Sequence, residues 1–141
     1  IGKKNIMDLP EIGNMSSTNS ANPLACNAGL AVIEEITSKK LTQKAKTSGE
    51  YLHKNLLKIK DQYPNIFNVY GKGLIAAMIF DRKIRNIDKK LKKLVELCIK
   101  DGLLLVYTGR ESIKIGPPLT ITKNAIKEGT EIIKKNIQLI F

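Results

Sequence analysis

The chain has 141 residues, of which 24 are Lys or Arg and 13 Asp or Glu, giving a formal net charge of +11 alongside 43% hydrophobic residues. That length and apolar content suit one compact folded body and exclude a disordered polyelectrolyte or a miniprotein dependent on disulfide or metal staples. Neither end carries a charged segment followed by an apolar stretch, and no apolar run is long enough to cross a bilayer, so the chain is expected to be soluble and cytoplasmic, with no membrane partner.

After an N-terminal stub, the hydroxyls of Ser16, Ser17 and Thr18 lead into Asn22-Pro23, a capping side chain followed by proline at the first helical position. Leu24, Ala25, Ala28, Ala31, Val32 and Ile36 then recur at helical spacing, and their small side chains suit close packing on another element. A second helix follows a break near Ser38. Its stripe is Leu41, Ala45, Ser48, Leu52, Leu56 and Ile59, ending at Tyr63-Pro64-Asn65. Residues 66–70 and 74–80 are predicted strands joined by the turn Gly71-Lys72-Gly73, and the second is apolar almost throughout, as a central strand would be.

Ile87, Leu91, Leu94, Val95 and Cys98 mark an amphipathic helix that stops at Asp101-Gly102. Residues 103–107 and 112–115 are predicted to pair as strands around the turn Thr108-Gly109-Arg110-Glu111. The doublet Pro117-Pro118 cannot continue a strand, and Thr122 caps a last helix carrying Ile126, Gly129, Ile133 and Ile137. The order predicts an α/β protein of the α+β type. It is a two-layer sandwich, a small mainly antiparallel sheet with helices packed on it, preceded by a long connecting helix.

Few residues carry chemistry. Cys26 and Cys98 sit at apolar helix positions far apart in sequence and are expected to be buried free thiols. The one histidine, His53, lies on the polar flank of a helix with no cysteine or carboxylate placed to form a triad or metal site, so a surface histidine and no metal are expected. Gly71-x-Gly73 is too short for a dinucleotide fingerprint. The densest basic run, residues 82–93, contains no aromatic side chain to stack a base, and lysines occur on every helix, which favours solvated faces over a nucleic-acid interface. A basic nucleic-acid-binding module remains the alternative of a different class, supported by charge alone. The hydroxyls and backbone donors of residues 16–18, just ahead of a helix start, form a constellation that can hold a phosphate.

Three stretches carry a family resemblance. The segment "SSTNSANPLACNAGLAVIEEI" resembles the Ser-Thr loop and alanine-rich helix of class III pyridoxal-phosphate-dependent aminotransferases. "VYGKGLIAAMIF" is similar to that family's Gly-x-Gly-Leu hairpin, and "IKIGPPLTITKNAIKEGTEII" to its Pro-Pro-Leu-Thr-Ile-Thr segment and closing helix. The three occur in the family's order and span nearly the whole chain.

The resemblance implies residues 1–21 as the end of a large cofactor domain, 22–38 as a connecting helix and 39–141 as a C-terminal small domain. It implies a homodimer in which Thr18, with Ser17 beside it, binds the phosphate of the partner subunit's pyridoxal phosphate, with an amino acid or amine donor, a 2-oxo acid acceptor and no nucleic acid as partners. Where the family places an arginine that clamps a substrate carboxylate, three residues ahead of the proline pair, this sequence has Lys114, a point charge rather than a planar fork. "IGKKNIMD" resembles the segment that follows the Schiff-base lysine, so that lysine is expected upstream of residue 1 and Lys3 and Lys4 are poor candidates for it. The chain by itself is therefore expected to be inactive. Racemases and epimerases on the same fold share all three motifs and stay open as an alternative.

Overall fold

The computed structural model describes residues 3–11, 13, 14, 17–19 and 21–141, which divide into two compact units, Ile1–Lys39 and Lys40–Phe141. The first unit holds a single helical turn, α1 (Lys4–Met7), and the longer α2 (Pro23–Ser38). The predicted start of α2 is present: the Asn22 side chain accepts a hydrogen bond from the Leu24 amide at 2.9 Å, and proline occupies the first helical position. No residue of α2 is buried, so Leu24, Leu30, Val32 and Ile33 expose their side chains.

The second unit contains α3 (Leu41–Gln62), β1 (Ile66–Lys72), β2 (Ile75–Phe80), α4 (Ile87–Lys100), β3 (Val106–Tyr107), β4 (Ser112–Ile115) and α5 (Lys123–Ile140). Its four strands form one antiparallel sheet in the order β1-β2-β4-β3, so that the connection through α4 carries the chain past β4 before β3 turns back onto it. Strand alternation then sorts the side chains. Ile66, Ala76, Met78, Phe80, Ile113 and Ile115 enter one core with Leu52, Leu56 and Ile59 of α3, Leu91, Leu94 and Cys98 of α4, and Ile126, Ile133 and Ile137 of α5. The helices cover that face of the sheet, and each fully buried Leu or Ile contributes roughly 1.5–3 kcal/mol. This is the predicted two-layer arrangement, with β2 central as expected.

Local chemistry explains the element ends. Gly71 and Gly73 shape the hairpin with φ of +136° and +57°, and a Cβ on Gly71 would stand 2.0 Å from the Ile75 carbonyl oxygen. Gly102, at φ +90°, closes α4: the Leu103 amide donates to the Cys98 carbonyl at 2.8 Å and the Gly102 amide to that of Ile99 at 3.0 Å. Thr122 caps α5 by accepting from the Ala125 amide at 3.2 Å.

One predicted strand is much shorter than expected. Only Val106 and Tyr107 join the ladder, opposite Lys114 and Ile113, whereas residues 103–107 were expected to pair. Continuing the register would set residues 103–105 against 115–117, where Gly116-Pro117-Pro118 ends β4 and proline offers no amide.

Candidate functional site

Ser17 and Thr18 lie in the first unit, exposed, in the loop that approaches α2; Ser16 falls outside the described residues. Ala21, at φ +58°, adopts the left-handed conformation immediately before the Asn22 cap and turns the chain into the helix. The first turn of α2 contains no acidic side chain, so the partial positive charge of this helix end is not neutralised from within. The Thr18 hydroxyl makes no hydrogen bond among the described residues and is available as a donor. Neutral hydroxyls next to an uncompensated helix start suit a phosphate dianion.

Lys114 lies in the second unit, in the middle of β4 and on the side of the sheet that the helices leave uncovered. Its row across the strands is Tyr70, Ala77, Lys114 and Val106, set by the pairings Tyr70↔Ala77, Ala77↔Lys114 and Val106↔Lys114. Along β2 the same face shows Ile75 and Ile79 on either side of Ala77. Tyr70 is 55%, Ile75 61% and Val106 54% exposed, so Lys114 stands on a largely apolar plane, which it shares with Lys72 opposite Ile75. Among the described residues its side chain has neither an ion pair nor a hydrogen bond.

Next to this row a concavity of about 360 Å³ is lined by Phe67, Tyr70, Ile79, Phe80, Asp81, Arg82, Lys83 and Glu111. Phe67 is the extra residue of a bulge between Ile66 and Asn68, which leaves it 66% exposed. Arg82 Nε donates to Glu111 Oε1 at 2.6 Å, and Asp81 Oδ1 accepts from the Lys83 amide at 2.9 Å. The backbone amide of Glu111 and the Arg82 guanidinium hold the Glu111 carboxyl below its ordinary range. A second concavity, of about 310 Å³, between residues 103–105, the proline pair and α5 is apolar and carries no charged side chain.

Two single-residue expectations fail. Cys26 is exposed, on a helix that buries no residue; Cys98 is buried and free as expected, with its thiol pushed up from 9.0 to about 11 by burial first and Asp101 second. His53 is half-buried rather than on the surface, and its Nε2 is enclosed with no hydrogen-bond partner. Sequence reading also missed Asn136, buried on α5, whose amide donates to Asp101 Oδ2 at 2.9 Å and to the Ile132 carbonyl at 3.1 Å. Among the described residues no group of His, Cys, Asp and Glu is placed to hold a metal ion, and no helix is long and apolar enough to cross a membrane.

The chain belongs to the class III aminotransferases, whose family model matches residues 1–137. It is 36% identical to the acetylornithine aminotransferase of Synechocystis sp. over 135 residues, which is 95% of this chain and 31% of that protein. It is 39% identical to the leucine/methionine racemase of Thermococcus litoralis over 142 residues, 97% of this chain and 32% of that one. In structure it resembles an acetylornithine aminotransferase from Elizabethkingia anophelis with a TM-score of 0.83 and 29% identity, covering 99% of this chain and 34% of that one. The chain thus spans about a third of the length of the relatives it matches.

Proposed function

We propose that these residues are the C-terminal third of a pyridoxal-phosphate-dependent aminotransferase that transfers an amino group from an amino acid or amine donor to a 2-oxo acid, as a cytoplasmic homodimer. The observation that carries the reading is the family match over residues 1–137. Residues 1–21 close the large cofactor domain, 22–38 connect, and 39–141 form the small domain, close to the division of the chain at Lys39 and Lys40.

Thr18 donates its hydroxyl to the phosphate of the cofactor held by the partner subunit, with Ser17 beside it; the exposed loop and the acid-free start of α2 fit that role. When bound, the cofactor supplies the electron sink that makes the substrate Cα–H acidic. Lys114 takes the substrate carboxylate. Covering the apolar sheet face in the assembled enzyme would strand its ammonium between Ala77 and Val106 without a partner, and a carboxylate removes that penalty. The stretch from residue 1 to Asp8 resembles the segment that follows the cofactor-bearing lysine, so that lysine lies upstream of residue 1, neither Lys3 nor Lys4 serves, and this chain alone is inactive.

The test is transfer by the full-length protein. With pyridoxal phosphate, a donor amino acid and 2-oxoglutarate it should yield the donor's 2-oxo acid and glutamate in equal amounts, and failure with every donor and acceptor pair would sink the reading. Lys114→Met should weaken productive binding of a carboxylate substrate by about 1.5–3 kcal/mol, read in kcat/KM, with cofactor content unchanged. The 141-residue chain alone, treated with pyridoxal phosphate and borohydride, should show no stoichiometric adduct on a single lysine.

Amino-acid racemisation is the second reading. Lys114 offers one charge where a planar fork would fix orientation, and the Thermococcus racemase is among the relatives. One enantiomer incubated without any 2-oxo acid separates the two: a racemase scrambles it catalytically, whereas an aminotransferase halts after one half-reaction per active site.

A further inference from the structure

On the helix side of the second unit, α3 and α5 each turn one stripe into the core, and the stripes beside them face each other. Tyr51, Asn55, Lys58 and Gln62 of α3 and Lys127, Glu131 and Lys134 of α5, all at helical spacing, line a groove of about 270 Å³ between the two helices. Its walls carry the ammonium groups of Lys58, Lys127 and Lys134 against the single carboxylate of Glu131. Among the described residues that carboxylate pairs only with Lys127, at 3.9 Å with both side chains 65% exposed, a contact too long and too wet to fix either group. The side chains of Lys58 and Lys134 have no ion pair and no hydrogen bond among the described residues. Lys123, at the start of α5, adds a fourth cation, its Nζ 6.0 Å from the centre of the Tyr51 ring.

This arrangement suits a chain of phosphates. Lys127 and Lys134 are two turns apart, about 10 Å along the axis, so a single phosphate would leave one of them unmatched, whereas an anion charged along its length meets both and Lys58 as well. The side-chain amides of Asn55 and Gln62 add neutral donors on the α3 wall. Among the described residues no ring in the groove is free to stack a base, because Tyr51 is half-buried and Lys123 stands over its face. The Thr130 hydroxyl is turned inward, donating to the carbonyls of Ile126 and Lys127 at 3.0 and 2.9 Å. We propose that the groove between α3 and α5 binds a short polyphosphate chain, free or carried by a nucleotide, through Lys58, Lys127 and Lys134, with Glu131 opposing it. The site uses no residue of the catalytic reading.

Calorimetric titration of the full-length, cofactor-loaded protein tests this, with inorganic triphosphate, ATP, sulfate and a DNA duplex as probes in magnesium-free buffer. Triphosphate and ATP should bind with equal affinity, sulfate at least roughly tenfold more weakly, and all should weaken as salt rises. Lys58→Gln with Lys134→Gln should weaken triphosphate binding by roughly tenfold or more, and Glu131→Gln should tighten it. Lys89→Gln with Lys100→Gln removes the same charge from α4 and should change it by less than about twofold. These positions are all exposed, so the variants should keep the melting temperature of the parent.

No saturable binding, equal losses in the groove and α4 variants, or an unchanged affinity in Glu131→Gln would overturn the proposal. So would ATP held much more tightly than triphosphate, which requires a contact to the base. Duplex DNA held more tightly than either, through the same lysines, would overturn it in favour of a nucleic-acid face. Transamination by the same protein changes none of these readouts, so the catalytic reading and this one fail separately.

Discussion

Gly49 sits in the middle of α3, where glycine is unfavourable for a helix, and the reason is contact: a Cβ there would lie 2.3 Å from the backbone of Gly73. Gly49→Ala should therefore destabilise by about 1–3 kcal/mol, seen as a lower urea midpoint, and an unchanged midpoint would mean that α3 and the hairpin are less closely apposed. Asp101 and Cys98 give opposite pH signatures. Hydrogen bonds from Asn136 and then Lys135 hold the Asp101 carboxyl low, so its contribution is present above the unfolded carboxylate range near pH ~4 and is lost as pH falls through the lower folded value. Cys98 is raised to about 11, so its contribution is complete below the unfolded thiol value and is lost as pH rises through the folded one. Asn136→Ala should flatten the acid limb of the stability profile and, because the Asn136 side chain also holds the Cys98 thiol down, move the alkaline decline to higher pH, as pH-dependent denaturation would show. None of this was legible in the sequence: Asn136 reads as a polar residue on an amphipathic helix, and only the packing of α5 against α4 brings it to Asp101.

At the scale of elements, starts marked by side-chain caps were readable and starts made by backbone geometry were not. Asn22 and Thr122 cap α2 and α5 as their sequence context indicates, whereas α3 and α4 begin after Lys40 and Asn86, both left-handed at φ +50° and +58° and without a side-chain cap. Thr122→Ala should cost about 1 kcal/mol, and Lys40→Gly should gain roughly the same by relieving the left-handed strain; thermal melts read both. The shortened β3 follows the same logic. Residues 103–105 have strand composition, but strand formation needs a partner, and the proline doublet removes it. The open face with Lys114 was half legible: alternation placed Lys114 on a strand, while the row shared with Tyr70 and Ala77 follows from strand order.

At the scale of the whole molecule, every residue of the main core lies between Leu52 and Ile137, inside the second unit. A polypeptide of residues 40–141 should accordingly fold cooperatively on its own, with a melting transition within a few degrees of that of the 141-residue chain; loss of the transition would show that the first unit is needed to complete the core. The apolar side chains on α2 and on the open sheet face mark surfaces suited to burial against further protein.

The sequence by itself determined the element order from α2 onward, the two-layer class, the caps of α2 and α5 and, through three motifs, the family, because periodicity, turn chemistry and capping act over a few neighbouring residues; it gave no sign of the single turn α1. Only the tertiary structure decided that Cys26 is exposed and His53 enclosed, that Gly49 meets Gly73, and that Lys114 stands unpaired beside an aromatic concavity. Those outcomes depend on residues far apart in the chain being brought together, and burial, pairing and charge matching are properties of the pair.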